Sequence, residues 1–171
     1  MDLRDIKEFL KDALKYIIAI VVILIFAIYV VSFQEVIGPS MNNTLKSGDI
    51  TVVNKLVFRL RNIKRNEIVS LKKDDKIMVK RIIGLPGEHI EYKDNILYVD
   101  GKKISDSRSS STKDFKLESI GYDTIPKDMY LVLGDNRTNS SDSRTFGLVK
   151  KSDIIGKVNI RIYPFNKIKI F

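Results

Sequence analysis

Cysteine is absent from this sequence and histidine occurs once, at His89. The first absence excludes thiol catalysis, thiolate metal sites and a disulfide framework, so the fold must be held by its core alone. The second excludes a multi-histidine metal centre and leaves a serine–histidine triad with one candidate base. Acidic residues are in deficit: 21 Asp and Glu stand against 30 Lys and Arg, a formal charge of +9. Residues 1–15 are neutral, because Arg4, Lys7, Lys11 and Lys15 are offset by Asp2, Asp5, Glu8 and Asp12, so the excess lies beyond residue 33. No arginine-rich block or aromatic stripe suited to a nucleic-acid groove occurs there, which argues against a nucleic-acid partner. The charge fits either an anionic lipid surface or an ordinary solvated basic face.

What is present begins with "YIIAIVVILIFAIYVVSF", residues 16–33, 18 residues without a charge. That is about the lower limit for a helix spanning a hydrocarbon core, and it exceeds the apolar region of a cleaved signal peptide. The reading is an uncleaved transmembrane anchor. Four Lys and Arg precede it, whereas the first to follow is Lys46, 13 residues past Phe33. This bias puts residues 1–15 in the cytoplasm and residues 34–171 on the far side.

The exported part reads as strands. Residues 49–58, 66–72, 76–85 and 129–135 are rich in β-branched and aromatic side chains. Residues 89–104 read as a meander with turns at Asp94-Asn95 and Asp100-Gly101, and residues 158–165 as a closing strand. The serine-rich stretch 105–115 reads as an exposed mobile loop. The expected fold is one mainly β domain, antiparallel and partly barrel-like, behind a single N-terminal helix.

Three stretches carry chemistry. "GPSM" puts Ser40 shortly after the apolar run, and a serine nucleophile needs a base within hydrogen-bond reach. His89 heads a strand and reads as an ordinary exposed residue. Lys80, in "IMVKRIIGLPG", is flanked by apolar residues, and strand alternation puts it on the side of Met78 and Ile82, with Arg81 on the side of Val79 and Ile83. From the strand alone, such a lysine either snorkels to water, the commoner outcome, or is desolvated so that its amine can act as a base. "LGDNRTNSSDSRTFG", residues 133–147, is either a solvated turn or a loop held by an Asp142–Arg144 pair so that a hydroxyl such as Ser140 orients a base.

"GPSM", "VKRIIGLPGE" and "LGDNRTNSSDSR", in this order behind one span, resemble the boxes of bacterial type I signal peptidase. The resemblance covers nearly the whole chain and implies a serine–lysine dyad on a mainly β fold. It implies Ser40 as nucleophile, Lys80 as general base and Ser140 as the hydroxyl that positions the amine. It also implies Arg81, Asp135, Asp142 and Arg144 as a supporting network, with Met41 packed beside the nucleophile. Val36, Ile37, Met41, Leu45, Met78 and Val79 are implied as pocket residues for small side chains before the scissile bond. No metal or other cofactor is implied. The implied partners are secretory preproteins as substrates, the phospholipid membrane and the protein-export machinery. One departure is Gly38, where some relatives carry a serine that assists the oxyanion hole. The short spacing of the second and third motifs resembles compact members from Gram-positive bacteria. Self-cleaving repressors share a serine–methionine element but carry a DNA-binding segment in place of a span. Endoplasmic-reticulum signal peptidases use histidine where this chain has Lys80. A non-catalytic membrane-anchored β module is the alternative from another class.

Overall fold

The computed structural model describes residues 2–106 and 111–171. Its first element is α1 (Leu3–Val30), 28 residues long, started by the Asp5 carboxylate accepting the Asp2 backbone N–H at 3.0 Å. The helix is long and apolar enough to cross a membrane, and its apolar stretch is exposed up to Val30, which is buried. The expected 16–33 run is divided in the structure. Helix ends at Val30, and Val31–Phe33 belong to the first strand. The 15 helical residues from 16 to 30 rise only about 22 Å against about 30 Å of hydrocarbon. A crossing therefore enlists Ala13 and Leu14, with the Lys15 stem lying along apolar surface. Residues 3–15, expected as a separate segment, continue the same helix.

Strands β1 (Val31–Glu35), β2 (Ile50–Asn54), β3 (Ile68–Lys73), β4 (Lys76–Gly84), β9 (Met129–Leu133), β10 (Val149–Lys150), β11 (Ile154–Tyr163) and β12 (Lys169–Ile170) form the larger sheet. Its order is β1-β2-β11-β3-β4-β9-β10, with β12 on β11, and every pairing is antiparallel. No pairing among the described residues joins β1 to β10, so the sheet is not a closed barrel. A smaller sheet, ordered β7-β6-β5-β8, holds β5 (Ile90–Lys93), β6 (Ile96–Val99), β7 (Lys102–Ile104) and β8 (Phe115–Lys116). Its two hairpins turn where expected, with φ of 50° and 66° at Asp94-Asn95 and 51° and 73° at Asp100-Gly101. Positive φ at both central positions is the turn that matches strand twist.

Two sequence expectations change. The strand expected over 49–58 stops at Asn54, because the Asn54 side-chain oxygen accepts the N–H groups of Leu56 (3.0 Å) and Val57 (3.1 Å) and turns the chain into α2 (Val57–Leu60). The stretch 105–115 is irregular and largely exposed in its described parts up to Phe115, as expected, but two of its residues are not. Thr112 and Phe115 are buried, Phe115 in the core of the smaller sheet, while residues 107–110 lie outside the described residues.

The corner after β2 joins the helix to the sheet. Lys55 donates its backbone N–H to the Val30 carbonyl (2.8 Å) and its ammonium to the Ile28 carbonyl (2.6 Å). Carbonyls of the last helical turn lack partners within the helix and carry partial negative charge, so a lysine there satisfies both needs. Gly156 of β11 packs against this corner: a Cβ on it would lie 2.3 Å from the Asn54 carbonyl oxygen and 3.0 Å from Lys55 Cα. Gly156→Ala is expected to destabilise the protein by about 1–3 kcal/mol. Urea unfolding in micelles checks this: a lower midpoint at unchanged slope is expected, and a midpoint equal to the parent's contradicts the close approach.

Candidate active site

The chain leaving β1 is turned into the site by a short run of hydrogen bonds. Val36 N–H donates to the Asp49 carbonyl at 2.9 Å, and Gly48 N–H returns a bond to the Val36 carbonyl at 2.9 Å. Gly38 follows with φ +82° and donates its N–H to Ser47 Oγ at 3.2 Å. An L side chain is disfavoured at that φ, so the backbone itself calls for glycine there. Thr44 and Leu45 then donate to the Met41 carbonyl (3.0 and 2.8 Å), and Met41 and Leu45 are wholly buried. Two anchored side chains just past Ser40 fix its place while leaving it half-exposed.

Lys80 of β4 is 3% exposed, and its Nζ lies 2.8 Å from Ser40 Oγ. Alternation along β4 holds for Met78 and Ile82, which share a cluster, whereas Val79 and Ile83, expected on one side, pack in two different clusters. Met78 and Ile82 flank Lys80 and pack with Phe58, Val69, Val132 and Val149, whereas Val79 packs in a separate cluster with Val36, Met41 and Leu45. Burial pulls the Lys80 ammonium below its ordinary pKa, and the nearby Asp142 charge opposes that pull. Desolvation dominates because water is lost around the cation while Asp142 only partly replaces it.

The loop 134–144 packs over this pair. Asp142 caps α3 (Ser143–Phe146), accepting from the Gly134 N–H (3.1 Å), Arg144 Nε (2.8 Å) and Arg144 Nη2 (2.8 Å). Arg81 grips Asp135 with two bonds, Nε to Oδ1 at 2.7 Å and Nη2 to Oδ2 at 2.5 Å, and donates Nη1 to the Asn66 carbonyl at 2.6 Å. Both partners are buried, so removing either leaves an uncompensated charge, a loss of about 3–5 kcal/mol. Ser140 Oγ is buried beside Gly134 and makes no hydrogen bond among the described residues, to Lys80 or to any other group.

The remaining expected residues divide. Val36, Met41, Leu45 and Val79 share one buried cluster with Val53, Ile68 and Val158. Ile37 is 83% exposed, and Met78 belongs to the cluster on the other side of β4. His89 lies just before β5 with its Nδ1 2.7 Å from the Asp123 carbonyl and its Nε2 3.9 Å from Glu118, so its side chain faces the segment that follows β8. Among the described residues no three His, Asp or Glu side chains gather as metal ligands.

Three residues were not singled out from the sequence. Asn136 donates its backbone N–H to the Ser40 carbonyl (3.0 Å) and its side-chain amide to the Pro39 carbonyl (3.2 Å). Thr44 donates its hydroxyl to Asp135 at 2.5 Å, joining the serine turn to the Arg81–Asp135 pair. Gly134 admits the close approach: a Cβ there would lie 2.4 Å from the Ser40 carbonyl oxygen and 2.3 Å from Ser140 Oγ. Asn136 and Gly134 stand inside the loop motif and Thr44 just past the serine motif, but sequence adjacency does not say which backbone groups they meet.

Comparison with known proteins places the chain first as a serine peptidase, a hydrolase. More narrowly, it belongs to the signal peptidase family, peptidase S26, whose model matches residues 7–163. It is 41% identical to a signal peptidase I of Bacillus caldolyticus over 89% of this chain and 90% of that one. It is 35% identical to signal peptidase IB of Staphylococcus aureus strain Mu50, covering 95% and 94% of the two chains. A crystal structure of a signal peptidase I from Enterococcus faecalis superposes with a TM-score of 0.53 at 36% identity, covering 58% of this chain and 98% of that one. The apolar α1 fits a membrane-anchored member of this family.

A charged lysine held in apolar surroundings opposes folding. Its folded-state pKa is lowered, so the unfolded chain binds the proton more tightly, and the cost is complete below the folded-state value. It fades as pH rises from that value towards about 10.4, where the unfolded lysine also loses its proton. Lys80→Met is therefore expected to melt higher than the parent at about pH 7, by several degrees, with the advantage shrinking as pH rises. A melting series across pH checks this, and an advantage that grew with pH would contradict a desolvated ammonium.

Proposed function

We propose that the chain removes N-terminal signal peptides from exported preproteins, with Ser40 as nucleophile and Lys80 as general base. The supporting observation is the 2.8 Å contact between a half-exposed serine and a buried lysine whose pKa is depressed. With Lys80 neutral, the hydrogen bond reverses and the Ser40 hydroxyl donates to Nζ. Ser40 Oγ attacks the scissile carbonyl carbon, its proton passes to Nζ, and the carbonyl oxygen becomes an oxyanion. The Ser40 N–H is proposed to receive that oxyanion. Collapse breaks the C–N bond as the Lys80 ammonium protonates the leaving amine. A water then gives its proton to Nζ and attacks the acyl carbon, and as the acyl C–Oγ bond breaks Lys80 returns that proton to Ser40 Oγ and the new C-terminal acid leaves. Ser140, buried beside Gly134 with its hydroxyl unspent, is proposed to accept from the ammonium between these transfers. Arg81, Asp135, Asp142 and Arg144 keep the loop in place, and no cofactor enters any step.

Substrate is proposed to lie extended along the backbone flanking Ser40 and Lys80, as an added strand. Val36 and Val79, at 3% and 7% exposed, with the wholly buried Met41 and Leu45 packed behind them, are proposed to limit the space before the cut to small residues, as in an Ala-X-Ala site. Ile37 and Met78, apart from this cluster, border it at most from the rim. The basic residues before the apolar stretch support an orientation with residues 1–15 in the cytoplasm and the sheets outside, where preproteins would emerge from the export machinery at the lipid surface.

Ser40→Ala and Lys80→Ala are each expected to lower kcat by at least about 10⁴-fold with the fold retained, and the double variant to be no worse than either single one, since the two act in one step. For the parent, kcat on a saturable Ala-X-Ala peptide should rise with pH through the folded-state pKa of Lys80, below the usual lysine value. A limb near pH 6.5, close to the ordinary histidine value of about 6.5, that vanished on replacing His89 would transfer the base role to histidine.

Topology is tested separately. Protease added to protoplasts is expected to cut the exported domain and to spare a tag at residue 1. Cleavage of the tag with protection of the sheets reverses the orientation.

A further inference from the structure

Arg137 has no part in the mechanism above, yet its guanidinium is among the least exposed charges of the chain, at 1%. It reaches two separate parts of the molecule. Nε donates to the Gly134 carbonyl at 2.9 Å, within the loop that covers the serine–lysine pair. Nη1 lies 2.5 Å from Asp106, 2.8 Å from the Tyr92 hydroxyl and 2.9 Å from Thr112 Oγ1, all in the smaller sheet or the segment leaving and re-entering it. Tyr92 in turn donates to the same Asp106 oxygen at 2.6 Å, and Thr112 is fixed by its N–H on the Asn95 side chain at 2.7 Å.

On the loop side the bonds close a ring. Arg137 Nε holds the Gly134 carbonyl, Gly134 N–H holds Asp142, Asp142 holds Arg144, and Arg144 Nη2 donates back to the Arg137 carbonyl at 2.8 Å. Gly134 touches both the Ser40 carbonyl oxygen and Ser140 Oγ so closely that no Cβ fits there. Asn136, next to Arg137, holds the Ser40 and Pro39 carbonyls. A displacement of Arg137 is thus passed to Ser40 within two residues of chain.

We propose that Arg137 is a positioning residue for the Ser40–Lys80 pair, and that Asp106 and Tyr92 of the smaller sheet complete the device by holding its guanidinium. This rests on the serine–lysine reading. Only a planar fork satisfies the Gly134 carbonyl and the Asp106–Tyr92–Thr112 group at once, because a lysine ammonium is a single point on a flexible stem. Asp106 balances the buried charge, and the Tyr92 hydroxyl fixes its direction. The smaller sheet, which carries neither Ser40 nor Lys80, is thereby a functional part of the site.

The test uses the full chain in detergent micelles and a saturable Ala-X-Ala peptide, with kcat and KM measured per folded molecule. Arg137→Lys is expected to lower kcat about 10- to 100-fold with KM within about 2-fold, since a misplaced pair loses rate and the substrate surface is untouched. Tyr92→Phe, one hydroxyl away from the parent, is expected to lower kcat about 3- to 10-fold in the same way. The double variant should lose less than the product of the two, because both act through one guanidinium. If both single variants keep kcat within about 2-fold of the parent, whatever their melting temperatures, Arg137 is structural only and the proposal falls. A rise in KM at constant kcat also overturns it. Should Arg137→Lys fail to fold, Tyr92→Phe decides alone. Ser40→Ala measured alongside separates the two levels. Cleavage that survives it removes the serine–lysine reading. An inactive Ser40→Ala beside an unaffected Arg137→Lys removes this proposal alone.

Discussion

A lysine amine taken out of water and set against a serine hydroxyl is the arrangement on which the rest of this structure depends. Such a group has no favourable position unless its surroundings are fixed, since any slack lets it reach water and regain its charge. Most of the polar residues near it are spent on that fixity. Arg81 and Asp135 tie the loop to β4 with two parallel bonds, Thr44 ties the serine turn to the same aspartate, and Asp142 gathers Arg144 and the Gly134 N–H. Few of these contacts reach the amine directly. Their role is to leave it no second place to go.

The same requirement explains why the apolar clusters are divided. Met78 and Ile82 lie with one cluster while Val79, next to Lys80, helps build another that also receives Val36, Met41 and Leu45. Strand β4 therefore separates two packed bodies and carries the lysine along the seam. Antiparallel pairing of β3 on one side and β9 on the other keeps β4 from sliding, because a one-residue slip would exchange Lys80 for Val79 or Arg81.

Much of this was legible in the sequence. Alternation along residues 76–85 placed Lys80 with Met78 and Ile82, the two Asp-Asn and Asp-Gly turns fell where type I′ chemistry put them, and the apolar run marked the helix. What stayed hidden has two physical causes. Local side-chain bonds redirect the chain without changing its hydrophobic pattern, as when Asn54 ends β2 early. Long-range polar bonds join residues whose local setting looks like solvent. Thr112 stands in a serine-rich stretch that reads as a loop, and its bonds to Asn95 and to Arg137, 25 positions away, accompany its burial. The end of the helix at Val30 belongs to the same class, since Lys55 caps it from a distant corner.

That corner has a mechanical consequence. Helix α1 passes into β1 with no residue between them, and Lys55 fastens the last turn to the end of β2. No hinge separates the anchor from the sheet that leads to Ser40. A helix in a bilayer adjusts its tilt to the thickness of the hydrocarbon layer. Because no residue lies between helix and strand, a change in the tilt of α1 would carry β1 and the turn that bears Ser40 with it.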